Sequence, residues 1–188
     1  MPSVKKIAKN TRLYRVIHGT IAPFTFAFFM LIAATGLLLG WKKNTGGYLQ
    51  APTQKGVSSD LETWLPWDSL QNIAFQTLHD SIAPELSTDL DRIDARPDKG
   101  IVKFVFADHY WGIQLDGTTG QVLMIEKRRS DFIEHLHDGS LFDKWLGGGD
   151  FVKLTYTTAV GLSLLVLAFS GFFLWWNPKR IRRAKHAD

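Results

Sequence analysis

"VIHGTIAPFTFAFFMLIAATGLLLGW", Val16 to Trp41, is 26 residues long and holds no Asp, Glu, Lys or Arg. At about 1.5 Å of rise per residue it outreaches a hydrocarbon core of about 30 Å, so a helix made of it can cross a bilayer with some tilt. A second run, "LTYTTAVGLSLLVLAFSGFFLWWNP", Leu154 to Pro178, gives 25 more uncharged residues. Two such runs in a soluble chain of 188 residues would use up its core and leave nothing to cover them. The first run is also too long for a signal-peptide core of about 7 to 15 residues, and no small-x-small cleavage site follows near Trp41. It reads as an uncleaved anchor.

Charge gives the orientation. Lys5, Lys6, Lys9, Arg12 and Arg15 precede the first run, and Lys179, Arg180, Arg182, Arg183 and Lys185 follow the second with only Asp188 against them. Between the runs lie 12 basic and 17 acidic residues. Positive flanks stay inside, which places both termini in the cytoplasm and the middle outside, in the periplasm if the membrane is a bacterial inner membrane. The formal charge of +4 is thus a topology signal, and no nucleic-acid partner is implied. Without cysteine there are no disulfides and no thiolate ligands.

Seven segments follow: a basic N-terminus (1–15), a first transmembrane helix (16–41), a linker rich in Gly, Ser and Thr (42–65), an extracytoplasmic module (66–130), a His- and Gly-containing juxtamembrane stretch (131–153), a second transmembrane helix (154–177) and a basic tail (178–188). In the module, Leu70, Ile73, Ala74, Phe75 and Leu78 recur at spacings of three and four between Pro66 and Pro84, which predicts an amphipathic helix of about three turns. "LDRIDARP", "GIVKFVF", "HYWGIQLD" and "GQVLMIEKR" then read as three or four antiparallel strands separated by "RPDKG" and "DGTTG" turns. The fold class is an α+β membrane protein, two transmembrane helices flanking a helix packed on an antiparallel sheet.

These residues resemble a known family. "DRIDARPDKGIVKFVF" with "HYWGIQLDGTTGQVL" is similar to the PepSY module, matching its Asp-x-x-Thr-Gly turn at Asp116, Thr119 and Gly120, followed by Val122. The His-containing start and Thr-Gly of the first run, and the Leu-His-x-Gly, Ser-Gly and Trp-Trp of the later segment, resemble PepSY-associated transmembrane proteins. Larger relatives of that kind include siderophore reductases that carry further helices and bind haem. The resemblance implies an assembly in iron uptake or respiratory electron transfer; no cofactor is expected in this chain, with haem b as the alternative.

The candidate ligands are His18, His135 and His137. A bis-histidine haem needs imidazoles from opposite sides of one ring. His18 and His137 lie a membrane apart in this topology, so a second copy or a partner subunit would have to complete each site. His135 and His137 on a helix diverge by roughly 200° and cannot chelate one ion; "SDFIEHLHDGS", with a Ser in the cap position and Gly at the end, predicts such a helix. Each histidine can equally be an interfacial residue or a hydrogen-bonding helix contact.

Gly36, Gly40, Ala159, Ser163 and Gly171 are small residues that let helices approach, either the two spans or a partner's. Trp41, Trp175 and Trp176 suit interfacial anchoring in lipid. Only His18 is ionisable within either run, which argues against a transport pathway. No nucleophile-base pair, phosphate loop or dinucleotide fingerprint occurs, so no enzyme chemistry is read and no metal site. The expected function is a non-catalytic accessory or anchoring subunit of a larger membrane complex. The alternatives are a haem-binding electron-transfer protein and, from the family resemblance, a regulator of an extracytoplasmic peptidase.

Overall fold

The computed structural model describes residues 3–147 and 149–186, so Met1, Pro2 and the final Asp188 of the basic tail lie outside the described residues. The chain divides into two compact units: one runs up to Leu37 and resumes at His135, the other is Leu38–Glu134.

In the first unit, α1 (Val4–Trp41) and α5 (Phe151–Lys185) are long helices whose apolar side chains point outward: Phe24 is 78% exposed and Leu162 59%. A soluble core helix would bury those groups; lipid-facing helices present them. α1 and α5 run antiparallel, joined by Tyr14 stacked on Phe173 at 5.0 Å and Phe28 edge-on to Tyr156 at 6.0 Å. Before α5 comes α4 (Ser140–Leu146), whose Asp143 accepts the N–H groups of Val152 and Lys153, both at 2.9 Å. Two of the orphan amides at the α5 N-terminus are thereby satisfied by a side chain from outside the helix.

The second unit is the module. α2 (Trp67–Ser81) buries Leu70, Ala74 and Leu78, three of the five apolar positions whose spacing predicts it. β1 (Leu90–Arg96), β2 (Ile101–Phe106), β3 (Trp111–Asp116) and β4 (Val122–Lys127) form one antiparallel meander in the order β1-β2-β3-β4. Register pairs Val102 with Leu115 and Phe104 with Ile113. These four side chains and Phe106 meet α2 on one face of the sheet, completely or almost completely buried.

The opposite face carries Lys103, Gln114 and Glu126, also buried. Covering it is the stretch read from sequence as a linker: Gln54 N–H donates to Gln114 Oε1 at 3.0 Å, Gln114 Nε2 to the Pro52 carbonyl at 3.2 Å, and Lys103 Nζ to Thr53 Oγ1 at 2.9 Å. Strand positions that alternate apolar and polar are therefore buried on both sides, which is why polar residues of β2 and β3 need partners from this stretch.

The Asp-x-x-Thr-Gly turn is a clamp. Asp116 Oδ1 accepts the N–H groups of Thr118 and Thr119, each at 2.8 Å, and its Oδ2 accepts Val57 N–H at 2.6 Å. Gly120 is left-handed (φ 71°), and a Cβ there would meet Ile73 Cδ1 at 2.6 Å, so both backbone and space demand glycine.

Helix α3 (Arg129–Asp138) confirms a helix over "SDFIEHLHD" but corrects its start. Ser130 lies in the first turn, not ahead of it, and its N–H donates to the Leu49 carbonyl. The start is set by Asp131, which holds the preceding Arg128 in a two-point pair, Nε to Oδ2 at 2.8 Å and Nη2 to Oδ1 at 3.1 Å.

Candidate functional site

The two histidines singled out from the sequence occupy matching positions in the hairpin unit. His18 Nδ1 of α1 is hydrogen-bonded to Ser170 Oγ of α5 at 2.9 Å; His137 Nδ1, in the last turn of α3, is hydrogen-bonded to Thr35 Oγ1 of α1 at 2.8 Å. Thr35 Oγ1 also lies 2.7 Å from the Leu31 carbonyl, and Ser170 Oγ 3.2 Å from that of Leu167. Where the hydroxyl gives its one hydrogen to that carbonyl, the imidazole donates Nδ1–H and Nε2 keeps the lone pair; where it gives it to Nδ1, the roles reverse. Among the described residues no group bonds the Nε2 of either histidine.

A glycine follows each hydroxyl. A Cβ at Gly36 would touch His137 Cε1 at 3.5 Å, and one at Gly171 would touch His18 Cε1 at 3.4 Å. Both are ordinary contacts, so alanine fits at either place while any longer side chain would displace the ring. Thr35 and Ser170 are 4% and 2% exposed. The imidazoles thus lie on a hydroxyl-glycine pair contributed by another helix. His18 and Thr35 are 17 positions apart on α1, about 26 Å, so the two arrangements lie at opposite ends of the span and cannot share one ligand.

Gly139, the glycine of Leu-His-Asp-Gly, fixes the second of them. It is left-handed (φ 82°), and a Cβ there would meet Tyr156 Cδ1 at 2.6 Å. The adjoining Asp138 accepts from Ser140 and pairs with Lys153 at 2.6 Å. Burial raises its carboxyl, but the bonds from Lys153 and Ser140 together outweigh that and hold it below the ordinary aspartate range.

The remaining candidates are placed as follows. His135 shares α3 with His137, two positions away, and the two do not converge on one ion. Among the described residues no group of three or more His, Asp or Glu is arranged for a metal ion. Gly40 has nothing within 4 Å of a Cβ, and Ala159 is exposed. Ser163 bonds back to the Ala159 carbonyl of its own helix. Trp41, Trp175 and Trp176 are 62%, 56% and 38% exposed; Lys179 Nζ lies 3.4 Å from the Trp175 ring centroid.

Sequence reading missed the hydroxyl partners. Thr35 and Ser170 stand in the Thr-Gly and Ser-Gly pairs that carry the family resemblance, yet nothing local ties them to histidines 102 and 152 positions away. Also missed was the module's charge network, in which Asp131 pairs with both Arg128 and Arg92, the latter at 2.9 Å. Burial raises the Asp131 carboxyl, but the two guanidiniums together bring it below its ordinary value.

The haem that the resemblance implies can be tested against these residues. Metal-bound imidazole commonly donates its second ring N–H to a protein acceptor, which fixes the tautomer and turns the free lone pair outward. In the tautomer that donates from Nδ1, His18 and His137 would each meet that condition.

Fold and site together define a membrane hairpin of two long apolar helices with an α+β module inserted between them. The sequence model of the PepSY-associated TM region matches residues 16–187, and the chain belongs to that family. It is a membrane protein. No curated protein and no solved structure matches it.

Proposed function

We propose that this chain is an accessory subunit of a membrane electron-transfer or iron-uptake assembly, in which His18 and His137 would each hold a b-type haem through one imidazole. The observation that carries the reading is the repeated setting: two histidines at opposite ends of the hairpin each rest Nδ1 on a buried hydroxyl that precedes a glycine, and nothing among the described residues bonds their Nε2. As a mere fastener, such an interhelical hydrogen bond contributes about 0.6 kcal/mol. Fastening alone leaves the shared hydroxyl-glycine setting at both ends without a reason. Haem, when bound, supplies one-electron exchange at its iron. The chain's own part is to orient each ring through Ser170 or Thr35 and to keep Gly171 or Gly36 small beside it.

Each site takes its second ligand from a second copy or a partner subunit. The basic flanks support cytoplasmic termini and a periplasmic module, which puts the His18 site near the cytoplasmic face and the His137 site near the outer one. Cysteine placed at Asp98, an exposed position of the module, should react with an impermeant reagent added from outside.

The test is a visible spectrum of the full chain purified in mild detergent from its native membrane, beside a gel of what travels with it. A Soret band is expected, diminished by His18→Ala and by His137→Ala separately and absent in the double variant. A colourless chain, or a band indifferent to both substitutions, overturns ligation and leaves an anchor defined by its co-purifying subunits. The peptidase-regulator alternative predicts instead that an extracytoplasmic protease is retained on the chain.

A further inference from the structure

The geometry points to a binding cleft for an anionic phospholipid on the module, lined by Lys127, Arg129, Trp111, Tyr48, Phe132 and Leu38. The cleft holds about 690 Å³, within the range of pockets that bind small molecules. Its two exposed cations are held in place by aromatic rings: Lys127 Nζ lies 4.9 Å from the Trp111 centroid, and Arg129 Cζ 4.5 Å from the Tyr48 centroid. Arg129 Nη1 also donates to the Tyr48 carbonyl at 3.1 Å. Arg128 lies between them in sequence but is buried and consumed by Asp131 and Glu126, so it does not join the exposed charge.

No carboxylate lines the cleft, which selects an anion. The rest of the lining is apolar, and Leu38 belongs to the last turns of α1, the helix that carries the first span. Leu38 also falls within the uncharged run Val16 to Trp41, three residues before its end. A ligand with a phosphate for Lys127 and Arg129 and an acyl chain for Leu38 and Phe132 matches both halves, and lipid is the solvent at that level. The backbone is specialised there too. Tyr110 is the one non-glycine residue with positive φ (58°) among the described residues; its ring meets Phe132 edge-on at 5.8 Å and its carbonyl accepts Arg128 N–H at 2.7 Å. Left-handed backbone at a bulky residue is costly and persists where its surroundings demand it.

The test uses the full chain in detergent and native mass spectrometry with phosphatidylglycerol and phosphatidylcholine of identical acyl chains. One phosphatidylglycerol should be retained in preference to phosphatidylcholine, and Lys127→Gln with Arg129→Gln should weaken its retention by about tenfold. Arg182→Gln with Arg183→Gln removes equal charge from the basic tail and should leave that lipid bound. Leu38→Trp, which narrows the apolar end of the cleft and keeps both cations, should also weaken that preference. Retention of the preference in Lys127→Gln with Arg129→Gln, or in Leu38→Trp, overturns the proposal. So does a neutral isoprenoid lipid that co-purifies and displaces phosphatidylglycerol.

Discussion

The hairpin and the module use the same side-chain types for opposite purposes. In the hairpin the apolar groups face outward and the buried polar groups, Thr11, Thr35, Ser170 and Asn177, lie along its inner side. In the module the apolar groups of β2 and β3 pack inward against α2, while Lys103, Gln114 and Glu126 are buried on the other face of the sheet beneath residues 52–54. What differs is the medium. Water outside the module makes apolar burial its driving force, whereas lipid outside the hairpin removes that force and leaves hydrogen bonds and shape to hold the helices.

The sharpest way to break this comparison is a matched pair of truncations. Phe104→Ala should cost the module about 3 to 5 kcal/mol, whereas Leu162→Ala, on an exposed face of α5, should change stability by less than about 0.5 kcal/mol. Urea titration of the full chain in detergent, followed by hydrogen exchange of β2 and β3, reads both. A similar loss is expected for Asp131→Ala, about 3 to 5 kcal/mol, because it strands the buried Arg128 guanidinium. Protection in α1 and α5 should not change.

Asp116→Ala should cost less, about 1 to 3 kcal/mol, by leaving the amides of Val57, Thr118 and Thr119 without their acceptor. Limited proteolysis near Val57 is the direct readout. The same carboxylate predicts a pH effect. Burial raises the Asp116 carboxyl, but three backbone N–H groups and the Thr119 hydroxyl together hold it below the ordinary value. Its contribution, like that of Asp131, is thus complete above the unfolded value of about 3.9 and is lost as pH falls through the lower folded one. Exchange protection in the module should decline below about pH 4, as should protection around the Asp138–Lys153 pair, while the apolar lengths of α1 and α5 stay level.

The smallest effect sharpens the hairpin side. Thr35→Val and Ser170→Ala should each cost about 0.6 kcal/mol of helix association. If haem is bound they should also broaden or shift its absorption without abolishing it, since the ring loses its orienting acceptor but keeps Nε2.

The parts legible in the sequence are those with a local signature. The two uncharged runs lie within α1 and α5, the three-and-four spacing of Leu70, Ala74 and Leu78 is α2, and Asp116 with Gly120 is a turn whose own amide bonds to Thr118 and Thr119 close within five residues. What was not legible depends on distant partners. "GQVLMIEKR" reads as a strand and "SDFIEHLHDGS" as a helix, with nothing local to show that Arg128 and Asp131 are buried because Arg92 and Glu126 close round them. His18 and His137 were visible as candidates, but the hydroxyl that bonds each ring is one that only the folded hairpin brings near.

Asp143 has a consequence of another kind. By taking the amides of Val152 and Lys153 it gives the second long helix a fixed starting mark, set by a residue outside the helix itself. A helix with a frayed beginning can meet a thinner bilayer by unwinding a turn. One that is pinned at its first residues has to lean, so in this hairpin membrane thickness is converted into tilt.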